Sequence, residues 1–480
     1  MNRAPRMSSF LSRWTIHSPR NEVKLMSTIA AIATGSGRTA LGIIRLSGPE
    51  ALSAAEALFR PRGGGKLGEK PPRTMVLGSL LDTDGTQLDQ VLAVYCPGPR
   101  SFTGEDTVEL NCHGSPVVLS AALRAFFSLG VRQAGPGEFT RRAFLNRRLD
   151  LVQAEAIVDL VDAETAVAAK NAAAQLEGAV SRKTGKIYED LLGLLAWFQA
   201  AVDYPEEGVD PLEREEIASR LRSGRQELDR LLGSFRRGQV LKEGLRCALL
   251  GKPNAGKSSL LNALLGWDRA IVTPQAGTTR DTLEEKLVLG GTLLRLTDTA
   301  GLRDAVSDAE KQGVERALAE AERAELVLAV FDGSRPLEPE DRQVLAAAQA
   351  APKAIALINK CDLPRALEEE EIRAALPRAL RVSARTGEGL EELEALAGEL
   401  LAGEQPRDLG EVLTNARQYE AVLRAREALD RAASALEADM TPDAVLTDAE
   451  EALNALGELD GRTLREDLVE AIFSRFCVGK

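Results

Sequence analysis

Residues Gly251 to Ser259 read GKPNAGKSS and fit the spacing G-x-x-x-x-G-K-[ST], between strand-like RCALL and helix-like SLLNALLG. That spacing suits the phosphates of a nucleotide. Glycines let backbone N–H groups turn inward around phosphate oxygens, and the start of a helix adds positive potential. Asn254, Ala255, Gly256 and Ser259 are candidate contacts. Lys257 is a point charge for the β- and γ-phosphates and a candidate catalytic residue, and the Ser258 hydroxyl is a candidate Mg²⁺ ligand.

Four further elements follow in order. AGTTRD (276–281) offers Thr279 as a switch hydroxyl on Mg²⁺. DTAG, comprising Asp298, Thr299, Ala300 and Gly301, follows a strand-like stretch; there Asp298 can hold Mg²⁺ through water and Gly301 can sense the γ-phosphate. NKCD carries Asn359, Lys360 and Asp362, and Asp362 can accept the N1 and N2 protons of guanine. Adenine lacks that donor pair and would leave the carboxylate unpaired. SAR (Ser383, Ala384, Arg385) places the Ala384 N–H to donate to guanine O6. Five elements in this order specify a GTPase. Leu302 stands where Ras-like proteins carry the glutamine that orients the attacking water. Glu310, heading EKQGVERA, can take that role or be a solvated acid at a helix start; spacing leaves both readings open.

The elements that must position these groups follow from texture. From Leu245 strand-like and helical stretches alternate (RCALLG, TLLRLTDTAG, ELVLAVFDG, KAIALINK, ALRVSAR), the form of a doubly wound parallel sheet. Ala/Leu/Glu-rich helical patterns precede and follow it, so the economical architecture is a helical domain interrupted by an inserted α/β domain. Ahead of both, β-rich stretches separated by Gly/Pro turns, with one helix in SPVVLSAALRAFFSLG, predict a small α+β domain. The fold class is multidomain α/β and α. Its divisions are an N-terminal extension (1–26), the α+β domain (27–148), a first helical segment (149–244), the Ras-like P-loop G domain (245–410) and a second helical segment (411–480). The first 25 residues hold four Arg, four Ser and one acid. They read as a transit peptide or as an overextended gene start before Met26, and the second is favoured.

The 480 residues carry a net charge of −12, which excludes indiscriminate coating of nucleic acid. Five scattered cysteines without a C-x-x-C pair suit a reducing, cytoplasmic compartment. No apolar run reaches spanning length, so no membrane role is expected. Cys477 in the terminal FCVGK is not in a prenylation box, because Gly stands where that box wants an aliphatic residue and Lys is last. Taken alone it reads as a small buried residue on the terminal helix. His113 beside Cys112 reads as a loop or core residue, since His17 is the one other histidine.

SFTGEDTVEL, PGEFTRRAFLNRRLDLVQAEAI, KPNAGKSS, AIVTPQAGTTRD and FCVGK together closely resemble the MnmE (TrmE) family of bacterial tRNA-modification GTPases across residues 27–480. The resemblance implies a K⁺-dependent, dimerisation-activated GTPase. Its K⁺ positions fall on Asn254, Thr273, Gln275 (through its carbonyl) and Thr278, the threonines also counting as GTP contacts, and its water-positioning glutamate falls on Glu310. The N-terminal domain would bind a tetrahydrofolate derivative (5,10-methylene or 5-formyl) through Arg45, Glu109, Arg148 and Lys480. Some relatives carry Lys at the position of Arg148, which keeps the charge and changes the geometry. Cys477 would be a functional thiol.

The implied reaction installs a carboxymethylaminomethyl or aminomethyl group at C5 of the wobble uridine (U34) of certain tRNAs. The implied partners are a second copy, forming a homodimer through the N-terminal domain, and the FAD-dependent MnmG (GidA), forming a heterotetramer. Two rivals stand beside this reading. A ribosome-assembly GTPase would want a KH-type GxxG module or a basic tail, and the sequence has neither. A dimeric regulatory switch without one-carbon chemistry would not bind folate.

Overall fold

The computed structural model describes residues 27–35, 37–203, 214–267, 285–296, 321–404, 408–463, 466–474 and 476–479. It divides into two units: the described residues of Met1–Val158, Leu176–Arg225 and Ala421–Lys480, and those of Asp159–Gln175 and Gln226–Glu420.

In the first unit, seven strands form one sheet: β1 (Ile29–Ile32), β2 (Leu41–Ser47), β3 (Phe59–Pro61), β4 (Val76–Leu81), β5 (Gln87–Cys96), β6 (Thr107–His113) and β7 (Arg132–Gln133). Their order is β3-β4-β5-β6-β2-β1-β7. All neighbours are antiparallel except β1 and β7. Side chains alternate along a strand, so Val108, Leu110 and Cys112 of β6 turn inward while Glu109 and Asn111 take the other face. The inward face packs on helices α1 (Ala51–Leu58) and α2 (Pro116–Ser128) through Ala55, Leu58, Leu119 and Phe126. Burying a side chain such as Phe126 contributes about 1.5–3 kcal/mol. Burial also pushes the Cys112 thiol up to about 12, which leaves it protonated and inert. His113, against expectation, is exposed at the end of β6, where its ring meets Asp89 at 2.7 Å.

Helices α3 (Glu138–Leu145), α4 (Leu151–Val161), α5 (Ala166–Leu176) and α6 (Ala179–Asp203) follow, then α7 (Arg214–Glu243). On α6 the buried residues Val180, Ile187, Leu191 and Leu194 recur at helical spacing and form one apolar stripe. Chain from beyond the inserted sheet returns to this unit. Arg225 pairs with Asp430 of α12 (Ala416–Glu437), and α6 packs on α13 (Pro442–Asp460). The segments on either side of the insertion therefore join, as a split helical domain requires. Helix α14 (Glu466–Phe473) closes on α3 and α4 through Phe473, Phe476, Phe144 and Leu151. No helix among the described residues is long and apolar enough to cross a membrane.

The second unit holds β8 (Leu245–Leu250), β9 (Glu285–Leu289), β10 (Thr292–Leu296), β11 (Leu326–Asp332), β12 (Ala354–Asn359) and β13 (Ala379–Arg381), in the order β13-β12-β11-β8-β10-β9. Only β9 is antiparallel to its neighbour. Every residue of the apolar run in β11 is buried, as expected of a central strand covered on both faces. Helices α8 (Lys257–Trp267) and α11 (Leu390–Leu401) cover one face, and α9 (Pro339–Ala350) and α10 (Glu370–Ala375) the other. This is the doubly wound sheet expected from Leu245 onward.

Candidate functional sites

The chain order reverses at β8, with β10 on one side and β11 on the other, and ligands of such sheets bind beyond the strand ends at that point. The P-loop lies there, between the end of β8 and the start of α8. Two residues set its path. Gly256 has φ +95°, and a Cβ at this position would fall 2.2 Å from Nδ2 of Asn359, so a larger residue cannot fit without moving that side chain. Asn254 takes φ +63°, a left-handed conformation that a non-glycine residue keeps only where its surroundings hold it.

Asn359, 2% exposed at the end of β12, ties three loops together. Its Nδ2 donates to Ala255 O at 2.9 Å, and its Oδ1 accepts from Ala384 N at 3.1 Å. The motif NKCD marks the residue but gives no reason to expect that strap. Lys257 Nζ donates to Gly251 O at 2.6 Å and Lys252 O at 2.9 Å. Burial holds its pKa below the usual lysine value, so a phosphate group beside it would be favoured as a source of compensating charge. Lys252 in turn is pinned by Glu338 and Glu340, and the Glu338 hydrogen bond leads in raising its pKa.

The loop carrying Asp362 is equally ordered. Ser383 Oγ donates to Asp362 Oδ1 at 2.6 Å, the main reason that carboxyl lies below the ordinary aspartate range, and the exposed Arg385 pairs with its other oxygen. Lys360, at φ +64°, donates to Asp332 Oδ2 at 2.6 Å. Burial pushes Asp332 up, but the bonds from Lys360 and Ser334 outweigh it and leave the carboxyl below its usual value.

Ser258 sits on the first turn of α8 next to Lys257, a hydroxyl suited to an Mg²⁺ ion that keeps phosphate and water ligands. Asn254 adds an exposed neutral amide oxygen, a hard donor suited to a monovalent cation. Thr273, Gln275, Thr278, Thr279, Asp298, Thr299, Ala300, Gly301, Leu302 and Glu310 lie outside the described residues.

A second constellation lies on the open face of the N-terminal sheet. Register places Arg45 of β2 directly opposite Glu109 of β6, and Arg45 Nε donates to Glu109 Oε1 at 2.7 Å. The rings of Phe102 and Phe139 each lie 5.6 Å from the Arg45 guanidinium carbon. Arg148 Nε donates to Ser101 O at 3.1 Å, which places it on the loop that carries Phe102. The same loop is braced by fully buried Arg142, which pairs with Glu105 at 2.9 Å and Glu138 at 3.1 Å. A cation, a carboxylate and two aromatic rings suit a planar heterocycle with an anionic substituent. Phe102, Phe139 and Arg142 had no chemical signal in the sequence.

The C-terminal segment reaches this place. Val478 bridges Pro136, Gly137 N donates to Cys477 O at 3.2 Å, and Gly479 O accepts from Arg45 Nη1 at 3.4 Å. Gly479 has φ +97°, and a Cβ there would stand 2.3 Å from Ile32 O, so the close approach requires glycine. Cys477 is exposed and lies beyond the end of α14, which corrects the expectation of a buried residue on the terminal helix. The bridge of Val478 to Pro136 and the hydrogen bond from Gly137 N hold these residues outside helical geometry. Lys480 lies outside the described residues.

A P-loop at the switch point of a doubly wound sheet, with a carboxylate on the NKCD loop, defines a guanine-nucleotide-binding domain of the GTP hydrolase class. Family comparison narrows this. Residues 151–477 match the model of the MnmE helical domain, and residues 28–148 match that of the GTP-binding protein TrmE N-terminus. The chain is 46% identical over 459 residues to the tRNA modification GTPase MnmE of Symbiobacterium thermophilum, covering 94% of this chain and 99% of that one. The MnmE of Roseiflexus sp. is 44% identical over 463 residues, and that of Clostridioides difficile 39% over 456, each with the same coverage. The chain belongs to the MnmE family of tRNA modification GTPases.

Proposed function

We propose that this GTP hydrolase couples nucleotide turnover to modification of C5 of the wobble uridine (U34) in tRNA, adding a carboxymethylaminomethyl or aminomethyl group. Tetrahydrofolate would be the one-carbon donor, held on the N-terminal sheet. The carrying observation is the terminal segment 477–479 laid beside the Arg45–Glu109 pair, which brings a residue with an exposed thiol to the edge of a site suited to an anionic heterocycle. In this reading Arg45, Arg148 and Lys480 bind anionic groups, Glu109 pairs with an amidine-like edge, and Cys477 is a functional thiol. Bound folate supplies the one-carbon unit.

In the G domain, the P-loop N–H groups and Lys257 orient the phosphates and Asp362 selects guanine. Glu310 positions the attacking water in place of the glutamine replaced by Leu302. Ser258 and Thr279, with Asp298 through water, would hold Mg²⁺, which would supply charge neutralisation at the β- and γ-phosphates. K⁺, on Asn254, Thr273, Gln275 and Thr278, would offset charge developing between them. Turnover should therefore rise when K⁺ replaces Na⁺, and equal rates in the two salts would remove the Asn254 assignment.

The proposed assembly is a cytoplasmic homodimer joined to an FAD-dependent MnmG-type partner, with each chain divided at 148/149, 244/245 and 410/411. That partner would provide much of the surface for tRNA, consistent with the charge of −12. Calorimetry of 5-formyl-tetrahydrofolate against the full chain tests the folate assignment. Saturable binding supports it, and no heat at millimolar ligand would favour a dimeric switch without one-carbon chemistry.

A further inference from the structure

Exposed arginines from several segments gather around the loop from Pro97 to Glu105. Moving out from Arg45 and Phe102, the loop meets Arg148 at Ser101 O, then carries Arg100, whose carbonyl accepts from the guanidinium of Arg73. Arg147 stands between Arg148 and Asn146, and Asn146 Nδ2 donates to Thr103 O at 2.7 Å. Arg73, Arg100, Arg147 and Arg148 are all exposed. None of the four has a carboxylate within ion-pair distance among the described residues.

The acids of the same loop are committed elsewhere. Glu105 pairs with buried Arg142, Glu109 pairs with Arg45, and Asp106 accepts from Gly98 N and the Tyr95 hydroxyl. A run of uncompensated arginines stands out on a chain of net charge −12.

The backbone adds an independent observation. Five described non-glycine residues have positive φ, and they include Arg73 (62°) and Arg147 (56°) of this rim, beside Asn254 and Lys360 of the nucleotide loops. Such conformations persist where the surroundings enforce them, and they gather at ligand-holding positions.

We infer that Arg73 and Arg100, with Arg147 on the turn that meets the same loop through Asn146, form a subsite for the γ-linked glutamyl tail of a folylpolyglutamate, extending outward from the Arg45–Glu109 pair. The inference rests on the folate reading above and names the form of folate the site takes. Each added glutamate brings one carboxylate to an exposed guanidinium, so its effect is modest, screened by salt and additive along the rim. An oligonucleotide phosphate offers similar charge. It lacks the fixed attachment to a heterocycle seated at Arg45 that would make affinity depend on tail length.

The test is calorimetry of 5-formyl-tetrahydrofolate as the monoglutamate and the triglutamate, with the full chain and with an Arg73→Gln/Arg100→Gln variant. The triglutamate should bind wild type roughly tenfold more tightly, about threefold per added glutamate. The gain should shrink at high salt and vanish in the variant, while monoglutamate affinity and GTP affinity stay unchanged. Equal affinity for the two ligands on wild-type protein would overturn the subsite and leave the folate reading intact, a result that does not depend on the variant folding. If neither ligand binds, the folate reading fails and the subsite with it. If tail length has no effect but the variant loses affinity for a short single-stranded RNA, the rim belongs to nucleic acid and the inference is wrong.

Discussion

The nucleotide loops and the Arg45–Glu109 site of the N-terminal sheet are assembled in opposite ways. At the first, each chemical group lies on a short segment at the carboxyl end of a strand, and one buried side chain, Asn359, holds three such segments in register. At the second, β2, β6, the loop carrying Phe102 and the C-terminal segment each bring a group, and Arg45 meets Gly479 across 434 residues of chain. A local site depends on loop conformation. A convergent site depends on the whole unit folding and on its last few residues docking. Damage should therefore stay confined at the first and spread from remote positions at the second.

The largest expected effect breaks the local site at its chemical step. Glu310→Ala should cut GTP turnover by about 10²–10⁴-fold with GTP affinity near wild type, measured by single-turnover phosphate release; retained turnover would remove the water-positioning role. Next comes the guanine loop. Asp362→Asn should weaken GTP binding by roughly 10²-fold or more and favour xanthosine triphosphate, whose 2-oxo group accepts from an amide. Because the Ser383 hydroxyl keeps Asp362 below its ordinary pKa of 3.8, it is ionised from pH 8 to pH 5. Its contribution is present above that value and is lost only as pH falls through the lower folded pKa, so the preference for GTP over ATP should be flat across pH 5–8. A loss near pH 6 would contradict this assignment.

Gly479→Val probes the convergent site from its far end. A Cβ at this position collides with Ile32 O and the left-handed φ is lost to valine, so the terminal segment should undock. Folate affinity should fall about tenfold, the worth of one charge-assisted contact and its seat, while GTP turnover is unchanged. Unaltered folate affinity would detach the terminus from the site.

The smallest effect concerns the join of helices that carries the terminus. Burial pushes Asp460 up to about 6, Arg462 pulls it back, and Asp150 adds to the rise. The folded state thus favours the neutral acid. The stabilisation from its protonation is full below about 4 and is lost as pH rises through about 6. Asp460→Asn should stabilise this unit above pH 6 by on the order of 1–2 kcal/mol and have little effect near pH 4, read from urea melts at both values. Equal effects at the two pH values would show that the carboxyl is not strained.

This contrast also explains what could be read ahead of the structure. The strands around the P-loop carry unbroken apolar runs ending in Gly, Asp or Asn, a pattern that exposes both the sheet and the loops at its carboxyl ends. Asp362 and Lys257 were legible for that reason. Arg45 and Glu109 are ordinary charges until β2 and β6 pair in one register, and a shift by one residue would send them to the other face. The arginine rim is invisible in the sequence because Arg73 meets Arg100 through the fold rather than by spacing. Cys477 was placed on a helix because the pattern of α14 runs toward it; only the pairing of Val478 with Pro136 takes it off that helix.

In the proposed function, GTP turnover at the local site serves the convergent one in a single tRNA modification. Mass spectrometry of nucleosides from the tRNA of cells lacking this protein, with and without the wild-type gene restored, tests it most directly. The account predicts that wobble uridines lose their C5 aminomethyl-type substituent and regain it with the wild-type chain but not with Glu310→Ala. Wobble uridines that keep a full C5 substituent without the protein would contradict it.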